Sequence, residues 1–532
     1  MKTLGKLLCL LMALTLLCGC TPSVEKDLER ISALGESPDD LYRNWYEIFV
    51  YSFCDSNGDG IGDLRGVQSK LDYLQDLGIN GIWLMPIHPS SSYHKYNVSD
   101  YYAVDPAYGT MEDLEALLED CEQRGIRVIM DLVVNHCGRD HLWFAKLQAY
   151  LCGLPANEVP RVEDCPYVEY FNLSTEAQVG YGQIPGTRFY YECRFSSSMP
   201  DLNLDNPAVR QEIREIMDFW LKKGFRGFRL DAAKEYWTGD PEKNIEVLRW
   251  IQNTAKELQE DAYLVAEVWD TFGQLTEYYR SGITSLFAFP FANTDGKIVA
   301  VLRGAGNPSV VSTYATALEK ADRAYLSSNP HYIDAPFLAN HDVGRTAGFV
   351  SQDENKTKLA AAMNLFMSGS SFVYYGEEIG MTGSGNDPSK RAPMYWNEAR
   401  DQGTTAPPPE CVVPESYPFG SLEEQQKEDY SIYHYYRRAL AIRKALPVIS
   451  HGRTTAELPL NQGCVSAQRK TYGEQTCIIL MNISPDSSVA DLSAYRDWNL
   501  SVSLTVDGKS PKEKGTDLHL PPWSVVILTP NT

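Results

Sequence analysis

Short apolar segments alternate with helical ones eight times along about 400 residues, and this alternation limits the fold more than any other feature of the chain. The segments 45–51, 81–84, 127–134, 227–230, 263–266, 285–287, 335–338 and 371–375 have the length and apolar content of buried strands. Most stretches between them carry apolar residues at helical spacing, as at Leu71, Leu74 and Leu77. Alternating strand and helix predict a parallel sheet of the α/β class, and eight units predict that it closes into a (β/α)8 barrel. One connection is out of proportion: roughly 60 residues rich in Cys, Pro, Gly and Tyr separate His136 from Met199. A stretch that long predicts a small domain inserted after the third strand. After about Pro447 the apolar runs shorten and alternate with turn residues, which predicts a C-terminal antiparallel β-sandwich domain. The expected organisation is a barrel over 44–136 and 199–447, an insert over 137–198 and a β domain over 448–532.

Lys2 and Lys6 precede an apolar run over 7–17, too short to span a bilayer and suited to a signal peptide. Its end, Leu17-Cys18-Gly19-Cys20, resembles a bacterial lipobox. The resemblance implies removal of the signal segment, a lipid on Cys20 and a polar tether over 21–43. The protein is then expected in the bacterial cell envelope, outside the cytoplasm, touching membrane through its lipid only. Of 12 cysteines, nine remain after Cys20, an odd number without C-x-x-C spacing. Most read as small buried hydrophobes, with Cys152, Cys165 and Cys193 as candidates for pairing. Acidic residues number 70 against 48 basic ones, a formal charge of −22. That balance argues against a nucleic-acid partner, which needs a basic face, and fits a neutral ligand. The 32 tyrosines suit contact with sugars, and equally a core edge.

The chemistry gathers at strand ends. The third strand opens into Asp131-Leu132-Val133-Val134-Asn135-His136, and the fourth reads Gly227-Phe228-Arg229-Leu230-Asp231-Ala232-Ala233-Lys234. Strand alternation puts Gly227, Arg229 and Asp231 on one face. Arg229 beside Asp231 favours the carboxylate, the form a covalent nucleophile requires. The fifth strand ends Glu267-Val268-Trp269, apolar company that raises the pKa of a carboxyl and suits a general acid. The seventh ends Asn340-His341-Asp342. A lone Asp at such a place is more often a helix cap, and Asp131 reads as structural. Several acidic and basic groups at the same end of successive strands cost stability and point to a site.

These four segments, in this order, resemble the conserved regions of glycoside hydrolase family 13, the α-amylase family. Met199-Pro200-Asp201-Leu202-Asn203 resembles a further family marker at the end of the inserted domain. The resemblance covers the chain from about Asn44 onward and implies an α-glucan hydrolase of retaining mechanism. Motif by motif it implies Asp231 as nucleophile, Glu267 as acid/base and Asp342 as stabiliser of the transition state. It also implies Tyr96, His136, Arg229 and His341 around the sugar at the cleaved bond, and Asp387 and Arg391 on the next sugar. It further implies an assisting role for Arg345.

Asp55-Ser56-Asn57-Gly58-Asp59-Gly60-Ile61-Gly62-Asp63 carries side-chain oxygens at positions 1, 3, 5 and 9 and a backbone carbonyl, Ile61, at 7. That spacing matches a Ca²⁺ loop, although Gly66 stands where the twelfth-position Glu of an EF-hand belongs. It resembles a metal loop after the first strand in some family members, and a structural Ca²⁺ away from the chemistry is expected. The plainer alternative is a Gly/Asp turn.

Within the family, Ala232 after the nucleophile resembles α-1,4-acting members, where 1,6-acting relatives tend to have Val. Met199 stands where those relatives usually have Gln. The expected activity is that of an α-amylase on starch and maltooligosaccharides. Glu235 departs from the pattern, since many α-amylases have His there. A neopullulanase-like or α-glucosidase-like hydrolase of short α-glucans is the enzymatic alternative. A glucan-binding lipoprotein without catalysis is the other, and the presence of both Asp231 and Glu267 speaks against it.

Overall fold

The computed structural model describes residues 24–531. The signal segment and Cys20 lie outside the described residues. Strands β1 (Asn44–Ile48), β2 (Gly81–Leu84) and β3 (Arg127–Leu132) open a parallel sheet. Three short strands follow in the insert: β4 (Leu173–Ser174), β5 (Tyr181–Gln183) and β6 (Tyr190–Glu192). The parallel sheet resumes with β7 (Gly227–Leu230), β8 (Tyr263–Ala266), β9 (Ser285–Leu286) and β10 (Ser371–Tyr374), in the order β10-β1-β2-β3-β7-β8-β9.

The seventh unit of the barrel is not a regular strand. Its extended backbone at 335–338 pairs with β9 only through Phe287 and Ala335, and Phe372 N donates to Pro336 O at 2.8 Å. Pro336 has no N–H to give to a ladder, which explains the thin pairing. These bonds join β9 to β10 and close the ring.

Two other strands are shorter than their sequences predict, because pairing partners run out. β1 stops at Ile48, where its neighbours end at Leu84 and Tyr374, and the chain turns into a helical turn, Val50–Phe53. β3 stops at Leu132 opposite Leu230, the last residue of β7. The barrel interior is filled by Trp45, Trp83, Ile129, Tyr263, Val265, Phe287 and Phe372. Gly227, with φ of +144°, lets β7 approach β8: a Cβ there would stand 1.8 Å from Tyr263 O.

The stretch 21–43 differs from a free tether. From Val24 to Ser32 it is a helix whose Val24 and Ile31, seven residues apart, are buried on one face. Glu25 and Asp27 pair with Arg437 and Arg438 of the helix Ile432–Ala445 at 2.9 and 3.1 Å. The insert holds a helix, Leu142–Gly153, and a small sheet in the order β4-β6-β5. Beyond the helix Pro447–His451, a five-stranded and a three-stranded antiparallel sheet enclose a core that includes Ile478, Leu480, Leu518 and Val526. The nine described cysteines are free thiols, so Cys152, Cys165 and Cys193 do not pair. No described helix is long and apolar enough to cross a membrane.

Candidate active site

Side chains from the C-terminal ends of the barrel strands meet at the floor of a cavity of about 560 Å³ between barrel and insert. Alternation along β7 sends Arg229 inward, wholly buried. Its Nη1 donates to Asp231 Oδ1 at 2.6 Å and to Tyr96 Oη at 3.2 Å, and also to Asp131 Oδ1. Its Nη2 donates to Glu267 Oε2 at 2.7 Å. One guanidinium thus carries Asp231 and Glu267 on its two terminal nitrogens. Ala232 N donates to the same Glu267 oxygen at 3.0 Å. Burial raises the Glu267 carboxyl above its ordinary range against the pull of Arg229, with the charges of Asp231 and Asp342 adding to the rise. Asp131, deeper and held also by Trp83 Nε1 at 2.9 Å, is pushed up to about 7 by burial. It lies under Arg229 rather than on the cavity wall, which fits the structural reading.

His341 and Asp342 form the opposite side. Burial alone would lower the His341 pKa, but Asp342 and Glu47 on either side of the ring raise it to about 10. Nδ1 lies 2.7 Å from Glu47 Oε1, and Nε2 lies 3.0 Å from Asp342 Oδ2 and 2.7 Å from Tyr96 Oη. Burial would raise Asp342, but His341 and Arg391 hold it well below the usual carboxylate range. Arg391 Nη2 donates to Asp342 Oδ1 at 2.8 Å, and its Nη1 to Tyr93 Oη at 3.0 Å. Asp387 sits further out, mostly exposed, paired with Lys390 at 2.9 Å. Burial lowers the His136 pKa, and its Nε2 lies 3.2 Å from Tyr96 O.

All nine residues expected at the catalytic and sugar sites are therefore at or beside one cavity. Arg345 is not: it is buried behind the site, donating to Tyr375 O at 2.6 Å and Lys390 O at 3.2 Å. Sequence reasoning passed over Glu47, Tyr93 and Lys390, whose Nζ holds Asp342 O at 2.7 Å. The signal for Glu47 was present, since it shares the inward face of β1 with Trp45.

The loop expected to bind Ca²⁺ is apart from this cavity. Asp55 Oδ1 and Oδ2 accept from Gly58 N and Gly60 N at 2.6 and 2.8 Å, and Asp59 Oδ1 accepts from Ile61 N at 2.8 Å. Asn57 donates to Asp59 Oδ2 at 3.1 Å. Asp63 caps the helix Leu64–Ser69 through Gly66 N at 2.7 Å and accepts from Ser56 N at 2.9 Å. No three His, Cys, Asp or Glu side chains converge as a metal cluster among the described residues. Asp55, Asn57 and Asp59 offer an oxygen-only donor set of the kind Ca²⁺ takes, with Asn57 and a backbone carbonyl supplementing the carboxylates.

The family model "Alpha amylase, catalytic domain" matches residues 47–452. "Alpha-amylase 3" of Dictyoglomus thermophilum is 39% identical over 423 residues, covering 77% of this chain and 79% of that protein. "Oligo-1,6-glucosidase" of Parageobacillus thermoglucosidasius is 28% identical over 572 residues, covering 91% and 97%. Among solved structures, Eubacterium rectale Amy13B superposes with a TM-score of 0.91 at 41% identity, covering 95% of this chain and 99% of that one. An α-amylase from H. orenii gives 0.79 at 32% identity, covering 92% and 100%.

Proposed function

The chain belongs to the α-amylase family, and from that premise we propose a retaining glycoside hydrolase that cleaves α-1,4-glucosidic bonds in starch and maltooligosaccharides. The observation that carries the mechanism is the pair Asp231 and Glu267 on the two ends of one buried guanidinium. Sharing so small a group favours the close carboxyl spacing of retaining enzymes, ~5 Å, over the ~6.5–9.5 Å of inverting ones.

Asp231, oriented by the hydrogen bond from Arg229, attacks the anomeric carbon. Glu267, protonated more readily because it is buried, gives its proton to the glycosidic oxygen, so the leaving sugar departs neutral. The glycosyl–Asp231 ester then meets a water that Glu267, now a carboxylate, deprotonates. Asp342, an anion under His341 and Arg391, accepts hydroxyl hydrogen bonds that strengthen as the ring gains positive charge. Tyr96, His136 and His341 hold the reacting sugar, and Asp387 with Arg391 the one beyond it. Asp55, Asn57, Asp59 and the Ile61 carbonyl, with Asp63 if it leaves its cap, would hold a Ca²⁺ that fixes the loop after β1. Cys20, in the lipobox-like segment, would carry a lipid anchoring the enzyme in the cell envelope.

A second reading of the linkage has the likeness to an oligo-1,6-glucosidase behind it. Digestion of starch, maltotriose, pullulan and isomaltose, with the first anomer followed by NMR, tests both. The α anomer released first from starch and maltotriose is the expected result. A β product overturns the retaining mechanism, and isomaltose as the preferred substrate overturns the linkage.

A further inference from the structure

Two neighbouring cations hold Asp342, each at a different atom. Arg391 Nη2 donates to the carboxylate at 2.8 Å, and Lys390 Nζ donates to the backbone carbonyl at 2.7 Å. The same Lys390 Nζ lies 2.9 Å from Asp387 Oδ1, whereas Arg391 comes no nearer to Asp387 than 3.8 Å. A hydrogen-bonded path therefore runs from the Asp387 carboxylate, through one ammonium, to the Asp342 backbone.

The path is fixed at its root and free at its outer end. Lys390 O accepts from Arg345 Nε and from Tyr374 Oη, both at 3.2 Å. Arg345 is itself buried and donates to Tyr375 O, so the Lys390 backbone is tied to the end of β10. The Lys390 side chain is 14% exposed, while 57% of the Asp387 side chain is in solvent. Both line the cavity. An ion pair that exposed, formed within one helical turn, adds little to fold stability. An ammonium offers three N–H groups in adjustable directions, which suits it to join two oxygens on different segments.

Resting on the reading that Asp342 stabilises the transition state and Asp387 grips the sugar beyond it, we infer that Lys390 is a positioning residue that couples that second sugar to Asp342. A sugar hydroxyl on Asp387 fixes the carboxylate, the carboxylate fixes the Lys390 ammonium, and the ammonium holds the Asp342 backbone. The Asp342 carboxylate is then aligned on the reacting ring. Binding energy from a remote unit is in this way spent at the reacting centre, and it appears in kcat rather than in KM alone.

The test compares α-maltosyl fluoride, which fills both sites, with α-glucosyl fluoride, which fills the inner one. Fluoride leaves from both, so no leaving sugar enters the comparison. The parent enzyme turns over maltosyl fluoride with the higher kcat, by ~10-fold or more. In Lys390→Met this ratio of kcat values falls ~10-fold, the scale of one charge-assisted hydrogen bond, with KM for maltosyl fluoride within about twofold of the parent. Lys390→Arg, which keeps a cation in reach of both oxygens, restores part of the ratio. Lys390→Met and Asp387→Ala together lower the ratio by less than the product of the single losses, because one path is cut twice. An unchanged ratio in Lys390→Met overturns the coupling, and a raised KM beside it makes Lys390 a plain sugar ligand. An equal fall in kcat on both fluorides makes it a prop for Asp342 and overturns the coupling too, as does a parent with one kcat for both. Failure of the underlying reading is seen separately, as parental turnover of glucosyl fluoride by Asp342→Asn.

Discussion

Glu47 Oε1 lies 2.7 Å from His341 Nδ1, on the side of the ring away from Asp342, so His341 stands between two carboxylates. Only the imidazolium has a proton for each. The ring is therefore a charged prop under Asp342, and its pKa near 10 reflects that arrangement.

The sign of the pH effect follows. A histidine whose folded pKa exceeds its ordinary ~6.5 contributes stability that is full below ~6.5 and lost as pH rises through its folded value. Here that value is about 10. Glu47→Gln removes one of the two carboxylates holding the proton. The alkaline limbs of both Tm and kcat/KM are expected to move to lower pH. Parallel pH profiles of the variant and the parent would show that His341 does not govern either limb.

Arg229→Lys keeps the charge and loses the fork. A single ammonium cannot serve Asp231 and Glu267 from two fixed nitrogens while also holding Asp131. Breaking an ionic network whose Arg229 and Asp131 are wholly buried is expected to cost about 3–5 kcal/mol, read from denaturant unfolding. The kcat is expected to fall by ~100-fold or more as the carboxyl pair loses its alignment. Near-normal turnover would mean that the guanidinium does not align the pair.

Asp231→Asn leaves the shape of the site and removes the nucleophile. Turnover of starch is expected to drop by several orders of magnitude, ~10⁴-fold or more, with maltooligosaccharide binding retained in calorimetry. Substantial hydrolysis by a variant checked by mass spectrometry for deamidation would take Asp231 out of the mechanism.

The barrel and its catalytic end were legible because period-2 alternation and strand-end chemistry are local. Arg229 and Asp231 had to share a face whatever lay around them. What sequence could not give was set by distant neighbours. β1 ends at Ile48 because β2 and β10 end beside it, and nothing in 45–51 says so. The seventh unit is thin because Pro336 interrupts it, a signal present but outweighed by the apolar residues around it. The helix Val24–Ser32 reads as a tether because only three of its nine residues, Val24, Leu28 and Ile31, are large and apolar, and the helix it docks on lies some 400 residues later. Glu47 acquires its meaning only from His341, far along the chain.

Chelation bears on the loop at 55–63. An ion bound only by the folded state adds stability by mass action, ~2.7 kcal/mol at a hundredfold excess over Kd. The loop donors touch none of Asp231, Glu267 or Asp342. EDTA is expected to lower Tm by several degrees with little change in rate at moderate temperature, and Asp59→Ala to reproduce it. Equal melting temperatures with and without EDTA would leave the loop as a hydrogen-bonded Gly/Asp turn.

Ala232 bears on linkage. It sits at φ of +46°, left-handed for a residue with a side chain, and its N–H holds Glu267 while its methyl lines the cavity. Left-handed backbone costs any L-residue ~1–2 kcal/mol, and a β-branched side chain fits it worse than Ala. Ala232→Val is therefore expected to lower Tm modestly and to displace the Glu267 carboxyl. A displacement of ~1 Å is enough to cost ~100-fold in rate on maltotriose. With Ala present, the same sensitivity predicts discrimination in the parent enzyme. An α-1,6 bond carries its leaving oxygen on a flexible arm and reaches the acid differently, so isomaltose should be turned over at least ~100-fold less efficiently than maltotriose. Comparable kcat/KM on the two substrates would overturn the α-1,4 preference, and would leave the roles of Asp231 and Glu267 as they are.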